Sequence, residues 1–539
     1  MSQPHTVIPR RQVMEWAFTT HRVYQNPFID VTLDVTFAGP AGQSFQAPAF
    51  YAGHNTWKVR FNPGDAGSWS FRSRSIPPDP ELDQTGAFDV EASDRRGFLR
   101  ATPGQGWGFS YESGEPALIF GDTVYNLFGM AYCGGDVNAF LERRARQGFN
   151  LLRVRVPVSP YHPPAGYSAW QNRRTWPWGG SEQAPDFSRF NLDYFETVDT
   201  VVAQVESLGM GLEMIMEAWG FEFPFNSRNL FVAEWEELWL RYLIARYDAY
   251  NCLYFWTPLN EYEFYPNGDW HYKQVADLWA MRIARWIKRL GQHGHIVSVH
   301  NGPREPAFAQ RFAADPGAID AIMYQCWGTN GEQDGWLAAG IDEGINLSLK
   351  GWPGSAVLAE WGYERNPEFE LLVPGHQYSD PEHTRRGAWR GAFSGLGIIH
   401  GFENSWGPWM RLDQDQPGMA YLQHLRRFFT EIVPFAHLLP APDLIQPADR
   451  MPGYAPLALA TASRNLIAIY FPAGGQAGLN LPPGATYRLD QFDPRTGQVE
   501  SALATVSGAG VTVGVPPRQD AAGRSDDFVL VLRAAPVPE

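Results

Sequence analysis

Gly211-Leu-Glu-Met-Ile-Met216, then Val232-Ala-Glu-Trp-Glu-Glu-Leu-Trp-Leu-Arg-Tyr-Leu-Ile-Ala-Arg-Tyr247, then Leu253-Tyr-Phe-Trp-Thr257 is the stretch on which the fold turns. A short apolar run, a longer amphipathic one and a second short apolar run read as strand, helix and strand, the repeating unit of a parallel sheet. The same alternation extends in both directions, from about Thr123 to Pro434. Besides Gly211–Met216 and Leu253–Thr257 the candidate strands are Val124–Phe128, Leu151–Arg155, His295–Val299, Ala321–Tyr324, Ala356–Ala359 and Gly397–Gly401. Helix candidates between them include Val137 to Gln147, Asp193 to Leu208, Val232 to Tyr247 and Lys273 to Leu290. Eight such units predict a closed (β/α)8 TIM barrel.

The flanks read differently. Ile29-Asp-Val-Thr-Leu-Asp-Val-Thr-Phe37 alternates with period two, and Thr56–Phe61 and Ser68–Ser73 enclose the turn Asn62-Pro-Gly-Asp-Ala-Gly67, a β-sandwich pattern. After a Pro-rich segment from Pro434 to Pro447, which reads as a linker, strands return at Leu457–Thr461, Leu466–Phe471 and Tyr487–Phe492. The predicted architecture is therefore α/β, with an N-terminal Ig-like β-sandwich over 1–112, a catalytic barrel over 113–436 and a C-terminal β-sandwich over 437–539. A chain of 539 residues exceeds what one hydrophobic core organises, in keeping with three domains.

Composition narrows the chemistry. A formal charge of -15 repels phosphate backbones and anionic lipid, which argues against nucleic-acid and membrane partners and favours a neutral ligand. The 21 Trp, 22 Tyr and 34 Phe fill a large core and can also supply sugar-stacking faces. Cys133, Cys252 and Cys326 lie too far apart for a disulfide framework or a metal site and read as buried free thiols. Neither a metal-ligand spacing nor a Gly-rich phosphate loop in the required context occurs, so no metal and no cofactor is implied; His293-Gly-His295 reads as a loop pair. The N-terminus lacks a basic segment followed by an apolar one, so the chain as it stands reads as cytoplasmic, with secretion open if a leader has been removed.

In a barrel of this kind the active site forms where strands end and the following loops begin. The fourth candidate strand runs into Asn260-Glu261 and the seventh into Glu360. Cleaving a glycosidic bond takes one carboxylic acid to protonate the leaving oxygen and one carboxylate to attack or activate water, and two Glu three strands apart can face each other across the mouth. Glu217, Glu222 and Glu263 are further strand-end carboxylates that could bind hydroxyls, and Glu217 is the rival partner for Glu261.

The placement of Asn260-Glu261 and Glu360 resembles the large clan of retaining glycosidases. That resemblance implies Glu261 as acid/base and Glu360 as nucleophile, with Asn260 hydrogen-bonding the sugar 2-hydroxyl. It also implies an arginine beside the nucleophile, Arg153 or Arg155 according to which way strand two alternates. His300 would orient substrate, Tyr324 would hydrogen-bond the nucleophile, and Trp406 would floor the sugar; Trp219 and Trp327 add aromatic faces near the ends of strands three and six. The segment Pro48 to Phe71 is similar to a β-sandwich domain of unknown function found before barrels of this clan. Leu466 to Gly475 and Asp490 to Gln498 resemble a small domain labelled collagen-binding, and together they flank apiosidase-like barrels. The resemblance implies a carbohydrate substrate and release of a small terminal sugar such as apiose or arabinose. A transglycosylase and a non-catalytic carbohydrate-binding barrel are the alternatives. The loop from Ser159 to Phe190, with Trp170, Trp176 and Trp178, is expected to wall the pocket.

Overall fold

The computed structural model describes residues 7–157, 176–269, 271–302, 308–312, 315–326, 341, 345, 351–364, 380–402, 405, 412–447, 455–515 and 526–535. Eight parallel strands close a barrel: Phe120–Thr123, Leu151–Arg155, Gly211–Trp219, Leu253–Asn260, Ile296–His300, Ala321–Gln325, Ser355–Glu360 and Gly397–Phe402. Closure comes from the first strand pairing with the last, Phe120 opposite Ile398 and Thr123 opposite Gly401. Seven of these strands sit where the apolar runs place them.

The first does not. Val124–Phe128 reads as a strand in the sequence, whereas the strand is Phe120–Thr123 and Leu127–Tyr132 is a short helix. Val124, Leu127 and Phe128 are fully buried, so apolarity alone does not choose between the two; the pairing of Gly121 to Thr123 with Leu151 to Arg153 does.

Helices cover the outer face of the barrel. Gln274–Leu290 buries Ala276, Ala280, Ile283, Ala284 and Ile287 along one stripe, with Asp277 in its first turn and Lys288 and Arg289 in its last, matching the helix dipole. Inside the barrel the lower layer is apolar: Phe255, Met323, Val357 and Ile399 pack with Leu99, Phe109 and Tyr111 of the hairpin Leu99–Ala101 and Phe109–Tyr111. Above this plug the inward residues turn polar, among them Arg153, Glu213, Thr257 and Ser298, all fully buried. The chemistry is thereby confined to the mouth at the strand C-termini.

At the N-terminal side, a five-stranded sheet including Thr32–Ala38 and Gly67–Ile76 and a three-stranded sheet including Met14–Thr19 and Thr56–Phe61 enclose an aromatic core, with Phe37 stacked on Phe61 at 4.1 Å. This sandwich is riveted to the barrel: the Arg60 guanidinium donates to Asp199 at 2.6 Å and to the Arg246 carbonyl at 2.7 Å. At the C-terminal side, Leu439–Pro440 pairs with Leu457–Ala460 as the edge of a six-stranded sheet. The Pro-rich segment expected as a linker is thus partly structural, because Pro tolerates a sheet edge, where no ladder donor is demanded of it.

Trp389, on the barrel helix Pro381–Phe393, is fully buried and meets Tyr470 at 5.7 Å and Phe492 at 5.5 Å from the C-terminal sheet. Trp389→Ala is expected to cost about 3–5 kcal/mol of stability, read by urea denaturation, with new protease cuts within 455–535 as the C-terminal sheet loses its anchor.

Candidate active site

Glu360 ends the seventh strand, and its orientation depends on an irregularity. Tyr324 lies opposite Leu358, yet Gln325 lies opposite Glu360, so Ala359 is an extra residue and the strand bulges there. Without the bulge, strict alternation after Val357 and Ala359, which pack inward, would aim Glu360 outward; bulges beside active sites re-aim side chains in this way. Glu261 follows the fourth strand in the left-handed conformation, φ 53°, a strained state for a residue with a Cβ and one that clusters at functional sites.

The two carboxylates meet at one atom. Gln325 Nε2 donates to Glu261 Oε1 at 3.0 Å and to Glu360 Oε2 at 2.8 Å. The other Glu360 oxygen accepts from Arg153 Nη1 at 2.5 Å and from the Tyr125 hydroxyl at 2.6 Å. Arg153 Nη2 donates to Asn260 Oδ1, which fixes that amide so that its NH2 is the group left to donate. Behind Arg153, Glu213 Oε2 lies 3.5 Å from Nε, and Thr257 anchors Glu213 Oε1 at 2.8 Å.

This environment drives the two carboxyl groups apart. Burial pushes Glu360 up, but the Arg153 charge and the hydrogen bonds from Tyr125 and Arg153 outweigh it and hold the group low, at about 2. Burial raises Glu261 to about 8, and the negative charge of Glu360 adds to the rise. At neutral pH one carboxyl is an anion and its neighbour an acid. His300 is fully buried with Nε2 3.4 Å from Glu360 Oε1. Burial first and the Arg153 charge second hold it well below the ordinary histidine range, so it is neutral, and among the described residues neither ring nitrogen has a hydrogen-bond partner.

Arg153 and Arg155 both point inward, as residues two apart on a strand must. Depth, and not alternation, separates them: Arg153 reaches Glu360, while Arg155 donates to Asn126 Oδ1 at 3.0 Å and pairs with Glu222 at 3.4 Å. Trp219, 9% exposed, lies over the Arg155 guanidinium at 4.1 Å and edge-on to Tyr125 at 5.3 Å. Tyr324 does not reach Glu360: its ring belongs to the outer-layer core with Ile322 and Leu358. The hydroxyl on Glu360 comes from Tyr125, just past the first strand, and the inward residue closing strand six is Gln325. Alternation of Ala321 and Met323 inward gives the signal for Gln325; the misplaced first strand hid Tyr125.

The rival carboxylates are engaged elsewhere. Glu217 pairs with Arg228 at 2.6 Å, which reaches across to Glu236 on the helix Ala233–Tyr247 at 2.6 Å. Glu263 pairs with Arg311 at 2.7 Å. Of the loop tryptophans, Trp178 packs on Trp239 at 4.7 Å and Trp176 stacks on Phe223 at 6.0 Å. Trp170, Trp327 and Trp406 lie outside the described residues. Of the three cysteines only Cys252 is buried, Cys133 and Cys326 being half-buried, contrary to the expectation of three buried thiols.

Residues 105–435 match the family model described as the catalytic domain of apiosidase-like proteins. Residues 8–76 match a domain of unknown function, and 439–533 one described as the candidate collagen-binding domain of a collagenase. None of the curated proteins matches the sequence. Among solved structures, a protein of Bacteroides vulgatus ATCC 8482 described as a candidate glycoside hydrolase is 18% identical, with a TM-score of 0.71 over 98% of this chain and 100% of its own. A second from the same organism, described as a glycoside hydrolase of family 5, is 16% identical, with a TM-score of 0.61 over 81% of this chain and 93% of its own. Since the catalytic-domain model takes in all eight barrel strands and well over half of the sequence, the chain belongs to the apiosidase-like family of glycoside hydrolases.

Proposed function

We propose that the protein is a retaining glycoside hydrolase that releases a small terminal sugar, of the apiose or arabinose type, from an oligo- or polysaccharide by double displacement. The observation that carries the reading is the shared Gln325 nitrogen. Two carboxylate oxygens at 3.0 Å and 2.8 Å from one atom can stand no more than ~5.8 Å apart. Retaining enzymes hold their carboxyls about 5–5.5 Å apart, whereas inverting enzymes need about 6.5–9.5 Å to admit a water.

In the first step the Glu360 carboxylate attacks the anomeric carbon, the glycosidic C–O bond breaks, and the proton of Glu261 passes to the departing oxygen. A glycosyl ester on Glu360 results. Esterification removes the charge that helps keep Glu261 protonated, so Glu261 is now the base: it takes a proton from water as the water oxygen attacks the same carbon and the ester bond breaks. Arg153 and Tyr125 keep Glu360 ionised for the attack, and the Asn260 amide donates to the sugar 2-hydroxyl, an interaction worth several kcal/mol in the transition state.

The test is the configuration of the first sugar released from an aryl furanoside or pyranoside panel, followed by NMR before mutarotation. The expected product has the anomeric configuration of the substrate. An inverted product rules out Glu360 as nucleophile.

A further inference from the structure

Gln325 does more than sit between two carboxylates. It is 2% exposed, and its Oε1 is buried with no hydrogen-bond partner among the described residues. The assignment of the two amide ends follows from charge: the atom facing both Glu261 and Glu360 must be the donor, since an oxygen there would face the Glu360 anion. That leaves the carbonyl end as an orphan acceptor beside the reacting pair, held rigidly because Nε2 is doubly engaged and the Gln325 backbone is locked to Asn301 through the bond from its N–H to Asn301 Oδ1 at 2.7 Å. A buried acceptor left unpaired is costly, and a site built to satisfy it with a ligand's hydroxyl discriminates strongly against a ligand lacking that hydroxyl.

We infer that Gln325 is a specificity-determining residue: while Nε2 sets the spacing of the carboxylates, Oε1 accepts a hydrogen bond from one ring hydroxyl of the sugar held between them. The inference rests on the double-displacement reading, because it takes the sugar ring to lie against Glu360 and Glu261. The occupant it specifies is a neutral sugar with a free hydroxyl toward strand six. Chemistry supports this assignment over an apolar or anionic occupant, since an oxygen acceptor in that place neither stabilises an anion nor is relieved by a methyl group.

The experiment compares wild type with Gln325→Met, which keeps length and bulk but removes both polar ends. Each is assayed for kcat/KM on the best aryl glycoside and on its monodeoxy analogues. In wild type one deoxy analogue is expected to lose roughly 10- to 100-fold in kcat/KM. In Gln325→Met the parent falls and that same analogue is no longer worse than the parent, while the penalties at the other positions persist. A merely structural role for Gln325 would lower every substrate by one factor and leave the pattern of penalties intact, and that outcome overturns the inference. Should Gln325→Met not fold, as judged by Tm, Gln325→Asn carries the same comparison, with a partial loss of the single penalty expected and an unchanged pattern overturning it. Mass-spectrometric labelling of wild-type Glu360 by a 2-fluoroglycoside separates the two levels: absence of the label refutes double displacement itself, whereas labelling together with an unchanged deoxy pattern refutes only the role of Gln325.

Discussion

Glu360→Ala is expected to lower kcat by at least ~10⁴-fold, and azide is expected to restore turnover as a glycosyl azide of inverted configuration. The size follows from what the substitution removes. Among the described residues Glu360 is the one carboxylate that accepts from both Arg153 and Tyr125 at the mouth of the barrel, and in the proposed double displacement its loss leaves no covalent intermediate, which forfeits one of the two displacements at a cost of about 1.4 kcal/mol for each tenfold in rate. The vacated volume lies beside a guanidinium, a phenol and the Gln325 amide, a good seat for a small anion. Azide placed there attacks the anomeric carbon from the face Glu360 used, and Glu261 still delivers its proton to the leaving oxygen, so a single displacement inverts the centre. Kinetics with and without azide, with NMR of the product, check both statements. Full activity without azide would remove Glu360 from the mechanism.

What the sequence discloses and what it hides have physical reasons. Parallel strands covered on both faces bury every residue, so runs such as Leu151–Arg155 or Leu253–Asn260 stand out whatever lies around them. The strand ends at Asn260-Glu261 and Glu360 could be located for the same reason. The site's remaining parts depend on backbone detail that a hydrophobic run does not carry. The bulge at Ala359 turns Glu360 inward against the alternation of its own strand. Tyr125 was hidden because the apolar residues after Thr123 enter a turn and helix and not a strand. Tyr324 and Gln325 are adjacent, and one residue of register decides which faces Glu360; the inward parity of Ala321 and Met323 points to Gln325. The choice between Arg153 and Arg155 could not come from alternation, since both occupy the same face, and only the depth of Glu360 in the barrel resolves it. Tryptophans in a loop suggest a sugar platform, but a run of sequence does not tell which of them also serve the core: Trp178 packs between Phe187 of the hairpin strand Ala184–Phe190 and Trp239 of the helix Ala233–Tyr247, and Trp176 stacks on Phe223.

Glu261→Gln is expected to lose about 10²- to 10⁴-fold in kcat/KM on substrates with poor leaving groups, and far less on aryl glycosides whose phenolate departs without help. The contrast arises because the first step needs the proton only when the leaving oxygen is basic. The second step needs Glu261 as base on every substrate, so with a good leaving group the covalent intermediate should accumulate, visible as a burst of phenolate followed by a slow phase. Azide, which attacks without general-base help, should speed that slow phase and yield a glycosyl azide of retained configuration. The pH dependence carries the same assignment with its sign fixed. Burial and the Glu360 charge raise Glu261 to about 8, so the protonated, competent form is present below that pH and lost above it, and wild-type kcat/KM should fall on the alkaline side with a midpoint near 8. The limb belongs to the coupled pair, since ionising either carboxyl changes the field on the other, but only Glu261 can lose a proton there, because Glu360 is already an anion. Glu261→Gln should therefore abolish the alkaline limb on activated substrates as well as lower the rate. An alkaline limb that persists unchanged in the variant would assign the titrating acid to another group, with Glu263, which burial raises to about 7 and which sits two residues away, the first to test.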